Sequence, residues 1–302
     1  MRLMVEASPK VSVVVITYNR PFNDVVECLN AVRAMSYPNF EVILVDNSTD
    51  SPSSFSSISF EGFTLIDMTG KGNLGASGGR NIGTNFSKGE YLYFVDDDVI
   101  VDKGGLTELV RIMAKEPSIG IIGPLMYFYD DPSEIWFYKN YREGEFSQDF
   151  GDGTVDVPMV VSGALLIKKE LLERIGFFDE IYFFYHEDWD LNYRVQEAGY
   201  RTVCAKRASS WHKVPREDYL KLFDSKRAYY WHRNHFIFAG RNKKTITGVL
   251  SFLFKQLVYC GGRSFPIFYV SIALRTKRLD ALKAYFHGIL DGVVCLGKLW
   301  LI

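Results

Sequence analysis

The chain has 302 residues, of which 47% are apolar, and its 35 Lys and Arg nearly balance 36 Asp and Glu. That composition excludes a disordered chain, and the length suits one large α/β domain with an appendage or two smaller domains. The charge is uneven: residues 1–212 carry 19 Lys and Arg against 31 Asp and Glu, a net of −12, while residues 213–302 carry 16 against 5, a net of +11. Two surfaces with different partners follow from such a split, and the acidic first part argues against nucleic acid as one of them.

Residues 1–10 read as a loose leader without a secretory n-region or h-region. Val11 to Ile16 is a continuous β-branched run, expected of a strand buried on both faces. Apolar positions Val25, Val26, Leu29, Val32 and Met35 predict a helix over Asn23–Ala34. Phe40–Val45 and Phe63–Met68 are the next strands, separated by a Ser- and Pro-rich connection over residues 48–59. A Gly-rich stretch, Gly70 to Gly83, leads into a short helix. Tyr91–Val95 is a fourth strand that ends in Asp96-Asp97-Asp98.

Strands alternating with helices predict a mostly parallel sheet whose ligands bind outside the carboxyl ends of the strands. Polar clusters stand at all four of those ends: Thr17-Tyr18-Asn19-Arg20, Asp46-Asn47-Ser48, the loop Gly70 to Arg80, and the Asp triplet. Further on, a helix is predicted over Gly105–Lys115, strands near Ile119–Ile122, Met159–Ile167 and Thr202–Ala205, and helices over Lys169–Ile175 and Leu191–Ala198. Residues 127–153 are rich in Tyr, Phe, Asp and Gly. From about residue 216 the chain is helical, basic and aromatic.

The Asp triplet carries the first chemical signal. Three adjacent carboxylates repel one another, and a hard divalent cation such as Mg²⁺ or Mn²⁺ offsets that repulsion. In an extended strand Asp96 and Asp98 would point the same way and could share one ion. The alternative is a solvated loop with a helix-capping Asp. Gly70-Lys71-Gly72-Asn73-Leu74-Gly75 matches G-x-G-x-x-G, but it follows the third strand, so it is not a dinucleotide fingerprint. With Arg80 nearby its backbone could instead contact a pyrophosphate, or it is an ordinary Gly-rich connection. His186-Glu187-Asp188-Trp189-Asp190 follows the aromatic run Tyr182-Phe183-Phe184-Tyr185. A carboxylate among aromatics suits a general base, and an acid at a helix start also suits an N-cap. His212, in Trp211-His212, reads by itself as a surface or hydrogen-bonded core histidine and gains meaning only as a third partner to the aspartates.

The four cysteines are scattered without C-x-x-C spacing, which fits a reducing, cytoplasmic setting. Asn47-Ser48-Thr49 and Asn85-Phe86-Ser87 match the glycan acceptor pattern by chance on that reading. The apolar stretches Val249–Phe254 and Phe265–Leu274 are too short for a clean membrane span. Two readings stay open for this basic tail: peripheral attachment to an anionic membrane, or helices that cover the core or form a homodimer interface.

Taken in order, the segment Val11 to Arg20, Val45-Asp46-Asn47-Ser48, Gly72-Asn73-Leu74-Gly75 through Arg80-Asn81, the Asp triplet and Glu187-Asp188 resemble the family 2 inverting glycosyltransferases of GT-A fold. The subgroup they resemble is the rhamnosyltransferases and galactofuranosyltransferases, over residues 11–215. The resemblance implies an α/β, Rossmann-like GT-A catalytic domain at 1–215 with a helical C-terminal region at 216–302. It implies that Thr17, Tyr18, Asn19 and Arg20 line the nucleotide pocket, and that Asp46 reads a pyrimidine base. Asn73 and Arg80 would approach the ribose or pyrophosphate, with Asp97 and Gly163 beside the donor sugar. Asp96, Asp98 and His212 would hold Mn²⁺ or Mg²⁺, and Asp188 would be the catalytic base. Trp136, Glu187 and Trp189 would face the acceptor. Asp190-Leu191-Asn192-Tyr193-Arg194 lacks the Q-x-x-R-W of processive members, which argues against a polymerase.

The function so implied is transfer of a sugar from a dTDP- or UDP-sugar donor to a glycan or lipid-linked acceptor, in the cytoplasm or on the cytoplasmic membrane face. Two rivals are weaker. A sugar nucleotidyltransferase would want a Gly-rich basic loop after strand one, which Thr17-Tyr18-Asn19-Arg20 does not provide. A non-catalytic GT-A-like protein that recruits partners to a membrane would not need Asp98, Asp188 and His212 together.

Overall fold

The computed structural model describes residues 8–49, 54–136, 153–214, 225–242, 245, 247–251 and 279–300. The apolar stretch 265–274, residues 252–254 of the stretch 249–254 and residues 137–152 of the aromatic segment lie outside the described residues. The chain divides into two compact units, one made of Met1–Phe183 with Leu191–Pro215 and the other of Phe184–Asp190 with Arg216–Ile302.

The first unit is built on a mixed sheet. Its strands are β1 (Val11–Thr17), β2 (Phe40–Asp46), β3 (Phe63–Asp67), β4 (Tyr91–Asp96), β5 (Val99–Val101), β6 (Ile119–Phe128), β7 (Thr154–Asp156), β8 (Ala164–Lys168) and β9 (Arg201–His212). They lie in the order β3-β2-β1-β4-β8-β6-β9-β5, with β7 also on β9. The pairs β1–β2, β1–β4, β2–β3 and β6–β9 are parallel. The pairs β4–β8, β6–β8, β5–β9 and β7–β9 are antiparallel. The parallel stretch β3-β2-β1-β4 is the part that alternating strands and helices foretold.

β1 is central because it is apolar apart from Ser12 and Thr17: Val11, Val13 and Val15 are fully buried. Each such side chain stabilises the fold by about 1.5–3 kcal/mol relative to exposure. Helices α1 (Phe22–Arg33) and α2 (Gly75–Phe86) connect the parallel strands. The chain steps outward from β1 to β2 and β3, then returns to β4 on the other side of β1. That reversal makes the crevice at the carboxyl ends of β1 and β4 the place where such sheets take ligands.

Several elements differ from the sequence reading. β5 is new: the chain turns at Asp97-Asp98 and runs back as a three-residue strand. β8 begins at Ala164 rather than Met159. β9 runs on to His212, past an irregularity opposite Pro124 and Leu125. The helix Glu187–Glu197 starts four residues early, with Glu187, Asp188 and Asp190 in its first turn, where carboxylates favour the positive end of the helix dipole.

In the second unit, the helices Ser225–Asn242 and Leu279–Trp300 pack around Ala228, Ala281 and Tyr285. Gly292 lets them approach closely, since a Cβ there would stand 2.9 Å from the Arg233 carbonyl oxygen. Tyr229 Oη donates to Asp291 Oδ2 at 2.6 Å across the pair. Among the described residues no helix is long and apolar enough to cross a membrane.

Candidate active site

The strand-end clusters converge in the first unit. Thr17, the last residue of β1, is 2% exposed. Tyr18 is exposed, and Asn19 adopts a left-handed φ of 49° while its N–H donates to Ser48 Oγ at 2.9 Å. Asp46, at the end of β2, is buried, and its Oδ1 accepts the Ser48 N–H at 3.1 Å.

Asn47 organises the Gly-rich loop. Its Nδ2 donates to Asn73 Oδ1 at 3.0 Å and to the Gly75 carbonyl at 3.1 Å, and its Oδ1 accepts the Leu74 N–H at 3.0 Å. Asn73 Oδ1 also accepts the Gly75 N–H at 2.8 Å. Gly75 has a φ of 71°, and a Cβ there would fall inside contact distance of the Phe183 carbonyl oxygen. That carbonyl accepts the Ala76 N–H at 2.6 Å. The first N–H groups of α2 are thus used within the protein.

Arg80, one turn into α2, is 3% exposed and donates to Asp96 Oδ1 at 2.6 Å. The Asp96 N–H donates to the Gly163 carbonyl at 3.1 Å, and a Cβ on Gly163 would stand 3.1 Å from Asp96 Oδ2. Gly163 therefore leaves the Asp96 carboxylate the room it occupies.

The turn after Asp96 separates the three aspartates. Asp97 Oδ1 accepts from Arg20 Nε at 3.2 Å, and Asp98 Oδ2 accepts from Arg20 Nη2. Asp98 Oδ1 lies 3.1 Å from His212 Nε2. Asp96 and Asp98 consequently take different partners, because the triplet is not the extended strand that would aim them together. Burial, then the neighbouring Asp98 charge, push Asp97 up to about 6. Burial acts on Asp98 in the same direction, but His212 and Arg20 outweigh it and hold Asp98 at about 2.

His212 reaches Asp98 because β5 and β9 pair with Val99 opposite His212. Trp136 packs its ring edge-on to the imidazole at 4.3 Å, and its backbone N–H donates to the Met126 carbonyl at 2.8 Å. His212 Nδ1 is buried without a hydrogen-bond partner. Among the described residues no group of three or more His, Cys, Asp or Glu side chains is arranged to hold a metal ion. The pair Asp98–His212 nonetheless fits part of such a site. Ligand atoms at adjacent corners of an octahedron with bonds of about 2.1 Å stand about 3 Å apart. A carboxylate with an imidazole also suits a first-row divalent ion.

In the second unit, Glu187 and Asp190 are buried, whereas Asp188 and Trp189 are partly exposed. Asp188 Oδ1 accepts the Trp189 N–H at 2.8 Å. Asp188 is therefore the carboxylate of this cluster that is not fully buried. Asn47 is the residue that motif reading passed over; its place directly after Asp46 at a strand end was the signal available.

Residues 12–176 match glycosyl transferase family 2, and the chain belongs to that family. It is 27% identical over 233 residues to the O-antigen biosynthesis protein RfbC of Myxococcus xanthus, covering 70% of this chain and 18% of RfbC. The chain thus spans about a fifth of that relative's length. It is 26% identical over 216 residues to the amylovoran biosynthesis glycosyltransferase AmsB of Erwinia amylovora, covering 68% of this chain and 70% of AmsB. The mannosyltransferase PcManGT from Pyrobaculum calidifontis, solved with GDP-Man and Mn²⁺, shares the fold at a TM-score of 0.59 and 20% identity, over 98% of this chain and 87% of that one. The fold is GT-A.

Proposed function

We propose that this chain is an inverting glycosyltransferase that moves a sugar from a nucleotide-diphosphate sugar to an acceptor hydroxyl in glycan or glycolipid assembly. The observation that carries the reading is the meeting of Arg20, Asp98 and His212 beside the switch point of the sheet. Similarity to RfbC, an O-antigen biosynthesis protein, and to AmsB, an amylovoran biosynthesis glycosyltransferase, supports a glycan product. The shared fold of PcManGT, which was solved with GDP-Man and Mn²⁺, supports a nucleotide-sugar donor and a divalent ion.

Asp98 and His212, with Asp96, would hold Mn²⁺ or Mg²⁺. Such an ion would supply charge neutralisation at the leaving diphosphate. Thr17, Tyr18, Asn19 and Asp46 would bind the nucleoside, and Asn73 the ribose. Arg80 and Arg20 would add positive charge where the diphosphate departs. Asp97 and Gly163 would border the donor sugar, and Trp136, Glu187 and Trp189 the acceptor.

In the reaction the acceptor oxygen forms a bond to the anomeric carbon as the bond from that carbon to the phosphate oxygen breaks. The acceptor proton passes to the Asp188 carboxylate, and the electron pair leaves with the nucleoside diphosphate. A single displacement inverts the anomeric centre. Proton NMR of the first product formed from an α-linked donor tests this: a β-linked product is expected, and an α-linked product overturns it.

A further inference from the structure

We infer that Asn234, on the helix Ser225–Asn242, is a positioning residue for the Glu187-Asp188 turn, so that the second unit sets the geometry of the proposed base. This rests on the assignment of Asp188 as that base.

The turn enters the helix Glu187–Glu197 through strained backbone. Tyr185 and His186 both adopt left-handed φ values, 66° and 72°. That conformation is unfavourable for a residue with a Cβ. Strained backbone of this kind persists only where surrounding groups over-determine it. The helix Ser225–Asn242 supplies such groups. Asn234 Nδ2 donates to the Phe184 carbonyl at 2.8 Å and to the Tyr185 carbonyl at 2.7 Å. Arg233 Nη1 donates to Asn234 Oδ1 at 2.8 Å, which fixes the orientation of the amide. Asn234 is fully buried, so water does not substitute for it.

Two more contacts repeat the pattern. His235 Nδ1 lies 2.7 Å from His186 Nε2, and Asn242 Nδ2 donates to Asp190 Oδ1 at 3.2 Å. Positions 235 and 242 are seven residues apart and share one helix face, with 234 on the adjoining flank. They hold the residues on both sides of Glu187-Asp188 and leave Asp188 itself partly exposed. An arrangement that grips a strained turn at its carbonyls and at its far end fixes where the turn presents the Asp188 carboxylate.

The test is a double-mutant cycle on the full chain, with Asn234→Asp, which keeps shape but loses the two donors, and Asp188→Asn. A displacement of about 1 Å at a reacting group can cost on the order of a hundredfold in rate. Asn234→Asp is therefore expected to lower kcat ten- to a hundredfold while donor KM changes less than twofold. In the Asp188→Asn background it should change nothing further. If Asn234→Asp does not fold, Asn242→Ala takes its place, with an expected several-fold loss in kcat at unchanged donor KM. Wild-type kcat in the Asn variant that folds, or equal losses with and without Asp188, overturns the inference and leaves the base assignment standing. Full activity of Asp188→Asn alone overturns the base assignment and the inference with it.

Discussion

Asp98 Oδ1 and His212 Nε2 lie 3.1 Å apart although 114 residues separate them in the chain. The β5–β9 pairing makes the contact, and Arg20 holds the other Asp98 oxygen. The negative charge of Asp98 is thus fixed beside an imidazole at the edge of the crevice. Asp98→Asn should keep the fold, because the amide is isosteric, but should lower turnover on the order of a hundredfold to a thousandfold, as loss of one electrostatic partner at a transition state does. Steady-state kinetics beside a circular dichroism spectrum check this.

Gly163 is small because Asp96 is close. Gly163→Ala should tilt the Asp96 carboxylate off Arg80, raising donor KM several-fold with little loss of stability. Donor titration together with thermal unfolding measures both, and an unchanged KM would show that this contact has no role in binding.

Arg80 is buried and Asp96 about one-third exposed, so their ion pair lies between the surface and interior cases. Arg80→Met should destabilise the fold by about 1–3 kcal/mol and weaken donor binding. Urea unfolding gives the first quantity and calorimetry the second.

Asn47→Ala would leave the Leu74 N–H and the Gly75 carbonyl without their side-chain partner. Unmade buried hydrogen bonds of this kind cost about 2–4 kcal/mol together. Faster hydrogen exchange at residues 70–76 is the expected sign of the loosened loop.

The first four strands were legible because strands buried in a parallel sheet read as unbroken apolar runs. β5 and β7 were not, since three residues carry no period. β9 was read as four residues because its pairing slips opposite Pro124 and Leu125, where Lys206 and Arg207 break the apolar run. The Asp triplet was legible as a charge problem, but the turn at Asp97-Asp98 that parts the carboxylates was not. Asn47 and Asn234 act through single buried amides, which leave no periodic trace. No local pattern joins Asp98 and His212; His212 was legible only as a third partner to the aspartates, and the family resemblance is what assigned the pair to one ion.

Buried histidines make the second unit acid-sensitive. Burial pushes His232 down to about 4 and His186 well below the ordinary range, the latter with help from His235 and His232. Unfolded histidines titrate near 6.5. Both folded values are depressed, so the unfolded chain binds more protons as pH falls below 6.5, and stability present above that pH is lost toward pH 4. For His232 alone the loss between pH 7 and pH 5 is about 2 kcal/mol. Guanidinium unfolding of the full chain at those two pH values checks it, and equal stabilities would contradict it.

In the proposed function, the donor diphosphate is bound through a divalent ion at Asp98 and His212. Calorimetric titration of UDP and dTDP into the wild type and Asp98→Asn, each with Mn²⁺ and with EDTA, tests it most directly. The wild type with Mn²⁺ should bind at least one nucleotide, and binding should be at least tenfold weaker in the other three conditions. Equal affinity with and without the ion, or in the variant, would contradict it.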